Sequence, residues 1–196
     1  MAITINGTGS ITGLTAGGLP DASITSDDIA AGAVTAAKIG YAGAILQVKQ
    51  IYKQDTFTTT STSFTDVTGL SLAITPSSAS NYILVCSYFV LANTNTGGNY
   101  YSQARLIRDS TEIFAGTAAS NRPGAVTYTN KGDITIAQAT GFIYRDSPAT
   151  TSEVTYKIQL KTESSSTASI GRTPADADTT NHARMPANIV LMEVAG

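Results

Sequence analysis

The sequence predicts an all-β protein, a jelly-roll-like β-sandwich head preceded by a short extended N-terminal stalk. Three observations carry that reading. Thr, Ser, Ala and Gly make up 93 of 196 residues, and only 13% of residues are charged. Small, weakly charged, β-tolerant residues suit sheets rather than a helical bundle. From about residue 45, short apolar–polar alternations are separated by Gly, Ser, Asn and Pro turns, the pattern of a sandwich. The chain also changes character near residue 41, since all 14 aromatic residues lie between Tyr41 and Tyr156. The expected organisation is an anchoring segment over 1–12, a stalk over 13–40 and the sandwich head over 41–196.

Residues 2–12 read as a short strand and turn. Ile3 and Ile5 alternate with Thr4, Asn6-Gly7 is a turn signal, and Ile11 follows. A terminal strand of this kind is suited to extend a sheet edge on another protein, which makes Ile3, Ile5 and Ile11 the anchoring candidates. In the stalk, Leu14, Leu19, Ile24, Ile29, Val34 and Ile39 recur at every fifth position, with no other Leu, Ile or Val between them. That period fits neither a helix face, nor a strand face, nor a heptad. It implies a short repeated turn or extended unit presenting one apolar side chain each time; short helical turns near 26–28 and 35–38 are the alternative conformation. Six apolar side chains are too few for a core, whereas three chains wound about one axis bury them together. An intertwined homotrimer is therefore expected.

In the head, strands are expected at 45–52, 63–67, 70–75, 82–92, 101–108, 112–116, 133–139, 141–145, 153–162, 168–172 and 188–194. Val154, Tyr156, Ile158 and Leu160 alternate with Thr155, Lys157, Gln159 and Lys161, which is one face in and one face out. Leu70, Leu72 and Ile74 alternate likewise. Residues 82–91 are apolar at nearly every position, so that strand is expected to be buried on both faces, the second one under a neighbouring subunit.

The composition excludes several classes. With 12 basic and 14 acidic side chains there is no nucleic-acid footprint. No 18-residue apolar run suggests a membrane insertion. A single cysteine rules out a disulfide framework within the chain. No catalytic residue, metal site or cofactor is expected. His182 lacks a nucleophile elbow and reads as an exposed loop histidine. Cys86, inside the most apolar strand, reads as a buried inert thiol. Asp176 and Asp178 lack the further ligands of a calcium loop. The four glutamates, Glu112, Glu153, Glu163 and Glu193, give no obvious acid pair, although a glycan depolymerase using a carboxylate pair is the enzymatic alternative. Binding is easier to build. The polar loop holding Asn93, Asn95, Asn99, Tyr100 and Tyr101, together with Asn121, Arg122 and Tyr128, offers ring faces and two-way amides that suit sugars.

Several stretches resemble the fibre and spike proteins of tailed bacteriophages. Leu19-Pro20-Asp21-Ala22-Ser23-Ile24-Thr25, continuing through Gly32-Ala33-Val34-Thr35-Ala36-Ala37-Lys38-Ile39, is similar to the linker repeats of such fibres. Ala44-Ile45-Leu46-Gln47-Val48-Lys49-Gln50, Thr68-Gly69-Leu70-Ser71-Leu72-Ala73-Ile74-Thr75-Pro76, Ala79-Ser80-Asn81-Tyr82-Ile83-Leu84-Val85 and the closing Ala187-Asn188-Ile189-Val190-Leu191-Met192-Glu193-Val194 resemble the strands of their C-terminal heads. The resemblance implies a homotrimer with a thin stalk and a head of the tumour-necrosis-factor or C1q-like kind. It also implies a virion-surface location, with the N-terminus mounted on a portal, tail or capsid protein and the head meeting host-surface glycan. Only about 40 residues precede the head, which suits a stubby spike, a head fibre or a capsid decoration protein better than a long tail fibre.

Overall fold

A computed structural model describes residues 27, 29–31, 33–34, 42–94, 101–130, 137–163 and 166–196. The chain divides between Gly40 and Tyr41 into two compact units. In the first, the Ala33 N–H donates to the Ala30 carbonyl at 2.9 Å, closing a turn between Ile29 and Val34, both of which are exposed. The other stalk positions, Leu14, Leu19, Ile24 and Ile39, and the anchoring candidates Ile3, Ile5 and Ile11 lie outside the described residues.

The second unit is built from eleven described strands: β1 (Ile45–Lys53), β2 (Phe57–Thr59), β3 (Thr65–Ile74), β4 (Tyr82–Asn93), β5 (Tyr101–Arg108), β6 (Thr111–Phe114), β7 (Thr127–Asn130), β8 (Gln138–Asp146), β9 (Val154–Thr162), β10 (Ala168–Ile170) and β11 (Ala187–Val194). All pairings are antiparallel, and they form two sheets. In the first sheet β4 carries β8 along one edge. Its other edge is shared end to end by β11 and β10, which carry β1 and β2 beyond them. In the second sheet β9 lies between β3 and β5, and β6 and β7 share the far edge of β5. With shared edges taken as single positions, the eight positions run 1-8-3-6 in one sheet and 2-7-4-5 in the other. That interleaving is the jelly-roll path.

The core forms where inward positions of both sheets meet. Val154, Tyr156, Ile158 and Leu160 of β9, with Leu70 and Ile74 of β3, face Ile83, Val85, Phe89 and Leu91 of β4 and Ile189 and Leu191 of β11. The two ends are closed by polar clusters. At one end Asn93 Nδ2 donates to Ser102 Oγ at 3.0 Å, Thr162 Oγ1 at 3.1 Å and Ser166 Oγ at 3.2 Å. At the other, Asp146 accepts two bonds from Arg108 Nη1, at 2.8 and 2.6 Å, and one from the Tyr156 hydroxyl at 2.6 Å.

Three expectations change. The candidates at 63–67 and 70–75 are one strand, β3, interrupted by a register shift between Asp66 and Ser71 where Gly69 adopts φ +84°. Residues 133–136 of the expected strand at 133–139 lie outside the described residues, and β8 begins at Gln138. Strand β4 is buried on both faces only in its second half, where Val90 and Ala92 are buried as well as Phe89 and Leu91. Over Tyr82–Tyr88 it alternates, with Ile83 and Val85 in the core and Leu84, Cys86 and Tyr88 turned outward, so Cys86 is half-buried rather than a core thiol.

Candidate functional site

The two outer faces of the sandwich differ in kind. On the β1–β11–β4–β8 sheet, register places Val48 beside Met192 and Leu84, and Val190 beside Cys86 and Ile143 on one side and the exposed Gln50 on the other. Tyr52, Asn188, Tyr88 and Gly141 form the next row. This face is apolar, yet Val48 is 58% exposed, Tyr52 64%, Tyr88 42% and Ile143 69%. Together these four residues expose roughly 500 Å², interrupted by the polar Gln50 and Asn188. An open groove of about 620 Å³ runs along it, lined by Cys86, Tyr88, Gly141, Ile143, Asn188 and Val190. Gly141 forms it by default: a β-carbon there would meet only Ser87 O at 3.8 Å and Tyr88 Cδ2 at 3.9 Å, so the missing side chain leaves space above β8. Burial raises the pKa of the Cys86 thiol. The one charged group in these rows, Arg145, stacks its guanidinium 4.1 Å over the Tyr82 ring at the margin.

The opposite sheet presents charge. Arg105 donates through Nε to Gln159 at 2.8 Å and through Nη1 to Glu112 at 2.6 Å. Gln159 Nε2 and Lys157 Nζ both reach Asp66, at 2.6 and 2.8 Å. The Lys157 ammonium, with Gln159, holds the Asp66 carboxyl below its ordinary pKa against a smaller opposing effect of desolvation. Phe64 lies under two cations, Arg105 at 4.2 Å and Lys161 at 5.1 Å.

The residues singled out from sequence separate. Asn93 is buried at the end of β4 and its amide is engaged inside the sandwich, so it belongs to the framework. Asn95, Asn99 and Tyr100 lie outside the described residues. Tyr101 and Tyr128 come together on the outer face of the charged sheet, since Tyr101 opposes Asn130 and Gln103 opposes Tyr128. Asn121 and Arg122 are exposed on a separate turn, closed by reciprocal Ala119–Arg122 backbone bonds of 3.0 Å. His182 Nδ1 lies 2.7 Å from Thr173 Oγ1 in a loop where Asp176 accepts from Arg172 at 3.1 Å and from Arg184 at 3.0 Å. Asp176 is thus engaged by arginines rather than arranged around a cation. Among the described residues no cluster of three metal-ligating side chains forms. Glu112 is paired with Arg105, and Glu193 is buried among neutral donors.

No protein-family model matches the chain. No curated protein matches it either. Among solved structures, a chain of the T=1 particles derived from infectious bursal virus is similar over 76% of this chain and 36% of its own, at 16% identity and a TM-score of 0.39. A chain of the infectious bursal disease virus Gx strain is similar over 76% and 37%, at 13% identity and a TM-score of 0.34. This chain therefore spans about a third of the length of those chains.

Proposed function

We propose that the chain is a non-enzymatic structural protein of a phage particle, a short homotrimeric fibre or spike. Its N-terminus is mounted on a portal, tail or capsid protein, and its head meets host-surface glycan at the virion surface. The observation that carries the assembly is the asymmetry of the sandwich. One outer face presents charge, much of it paired within the sheet, and is of the kind that faces water. The other is a largely apolar sheet whose central strand leaves Leu84 and Cys86 half-buried and Tyr88 exposed on its outer side. Apolar area of this extent is stabilised by burial at about 25 cal/mol per Å². A second copy of the same chain is the partner that is always present at matching concentration. The five-residue apolar repeat and the resemblance to phage fibres both point to three copies. Exposed Ile29 and Val34, flanking the turn closed by Ala30 and Ala33, match the one-apolar-residue-per-turn unit that such a stalk needs. Three heads on one stalk turn weak single contacts into useful avidity.

Light scattering after size exclusion tests this reading. The full-length chain is expected at three times 20.2 kDa. Ile143→Asp or Tyr52→Asp, each placing a charge on the apolar face, is expected to lower the mass of the head assembly while circular dichroism stays β-rich. A monomeric full-length chain, or an unchanged mass in both variants, would sink the subunit-contact assignment.

A further inference from the structure

The charged sheet contains one row that its own side chains leave open. In the row formed by Arg105, Gln159 and Asp66, with Glu112 and Lys157 alongside, the side chains bond to one another. The adjacent row towards the β4–β5 end is different. Register aligns Tyr128 of β7, Gln103 of β5 and Lys161 of β9, and Phe64 continues the row next to β3. Tyr128 is 60% exposed. Gln103 Oε1 is shielded from water and has no donor. Lys161 rests over Phe64, and no carboxylate among the described residues forms an ion pair with it. At the rim the Glu163 carboxylate beside Tyr101 raises the tyrosine's pKa, and the Glu163 N–H donates to the Tyr101 carbonyl at 3.2 Å.

We infer that this row is a binding platform for an acidic polysaccharide. The inference rests on the attachment-head reading and deepens it. Tyr128 and Lys161 stand on the two neighbours of β5, so the strands that carry them lie two spacings or about 9.5 Å apart, and the Lys161 ammonium leans further out, over Phe64. The exposed ring of Tyr128 offers a face on which one sugar stacks. The Lys161 ammonium, held in place by Phe64, pairs with the carboxylate of a uronic acid further along the same polymer. The Gln103 amide lies between them, and a rotation about its side-chain bonds presents the unpartnered oxygen to a sugar hydroxyl. The surface is flat rather than enclosed, which suits a stretch of polymer better than a small molecule. It lies on the sheet face opposite the apolar one, so subunit packing through the apolar face leaves it open.

The test is binding of the full-length protein to immobilised polygalacturonate, alginate and hyaluronate, with dextran as the neutral comparison. In parallel, adherence is measured on a panel of encapsulated and unencapsulated bacterial cells. At least one polyuronate is expected to bind, and dextran about tenfold more weakly or not at all. Tyr128→Ala is expected to weaken binding about tenfold, and Lys161→Gln about fivefold, with loss of the salt dependence. Both side chains point outward, so solution mass and melting temperature stay as in the parent. Binding unchanged in both variants, or equal binding of dextran, overturns the platform. Cell adherence without polyuronate binding overturns the platform and leaves the attachment reading standing. Absence of both overturns the two together.

Discussion

Glu193→Gln probes a buried carboxylate that no lysine or arginine neutralises among the described residues. Glu193 is 1% exposed. Its Oε1 accepts from the Ser77 N–H at 2.6 Å, Ser77 Oγ at 2.8 Å and Asn81 Nδ2 at 2.6 Å; its Oε2 accepts from Gln47 Nε2 at 2.6 Å. An amide keeps one acceptor oxygen but sets an N–H₂ group against the Gln47 donor. Flipping the Gln47 amide does not repair this, because the same Nε2 also donates to the Thr75 carbonyl at 2.8 Å. The flip would set two oxygens against each other. The variant therefore loses one hydrogen bond outright and the charge assistance of the other three. At about 1.5–3 kcal/mol for a bond to a charged group, the expected cost is roughly 3 kcal/mol, or about 6–12 °C in melting temperature for a domain of this size. The sign with pH is also set. Burial pushes the Glu193 pKa up, but the bonds from Asn81, Gln47 and Ser77 outweigh it and hold the group below its ordinary value of 4.5. A depressed carboxylate contributes stability in full above the unfolded-state value and loses it as pH falls through the folded one. The parent is thus expected to lose stability below about pH 4.5, and the variant to lack that component. Urea titrations at fixed protomer concentration, from pH 7 down to 3, measure both. A variant within about 0.5 kcal/mol of the parent at pH 7 would refute the hydrogen-bond accounting.

Asp146→Ala strips the acceptor from Arg108 and from the fully buried Tyr156 hydroxyl, and is expected to cost about 2–3 kcal/mol in urea unfolding, discounted because Arg108 keeps some water. Gly171→Ala forces an L side chain into φ +82° with its β-carbon 3.0 Å from Met185 O; a loss of about 1–3 kcal/mol is expected in thermal melting. Ile24→Asp with Ile29→Asp is expected to dissociate the stalk while the head stays folded; circular dichroism showing an unfolded head would mean that the two regions are not independent.

How much of this was legible in the sequence depended on whether one strand carried its own signal. Strand β9 alternates apolar and polar residues throughout, and β5 is bounded by clear turns, so both were readable to within a residue. Strands β2 and β7 were missed. Phe57-Thr58-Thr59 and Thr127-Tyr128-Thr129-Asn130 are short and carry little apolar pattern, and their partners β10 and β5 define them. The outward turn of Cys86 was hidden because both faces of β4 are apolar, and alternation cannot be seen where the two sides look alike. The open row of Tyr128, Gln103 and Lys161 is a property of register between three strands distant in sequence. Of its members the sequence singles out only Tyr128, and as a loop residue beside Asn121 and Arg122 rather than on strand β7.

The sharing of one edge of β4 by β10 and β11 has an evolutionary consequence. Leu91 pairs with Ile170 and Tyr88 with Asn188, so both flanks of the excursion between these strands are pinned to the same strand independently of what lies between. A neck then closes it, with the Met185 N–H on the Gly171 carbonyl at 2.9 Å and Arg172 bridged to Arg184. The cost of closing the loop is met at its base, so the residues beyond the neck can be exchanged or lengthened with little effect on the sheet. That excursion is where the sequence can vary and where a foreign peptide could be displayed.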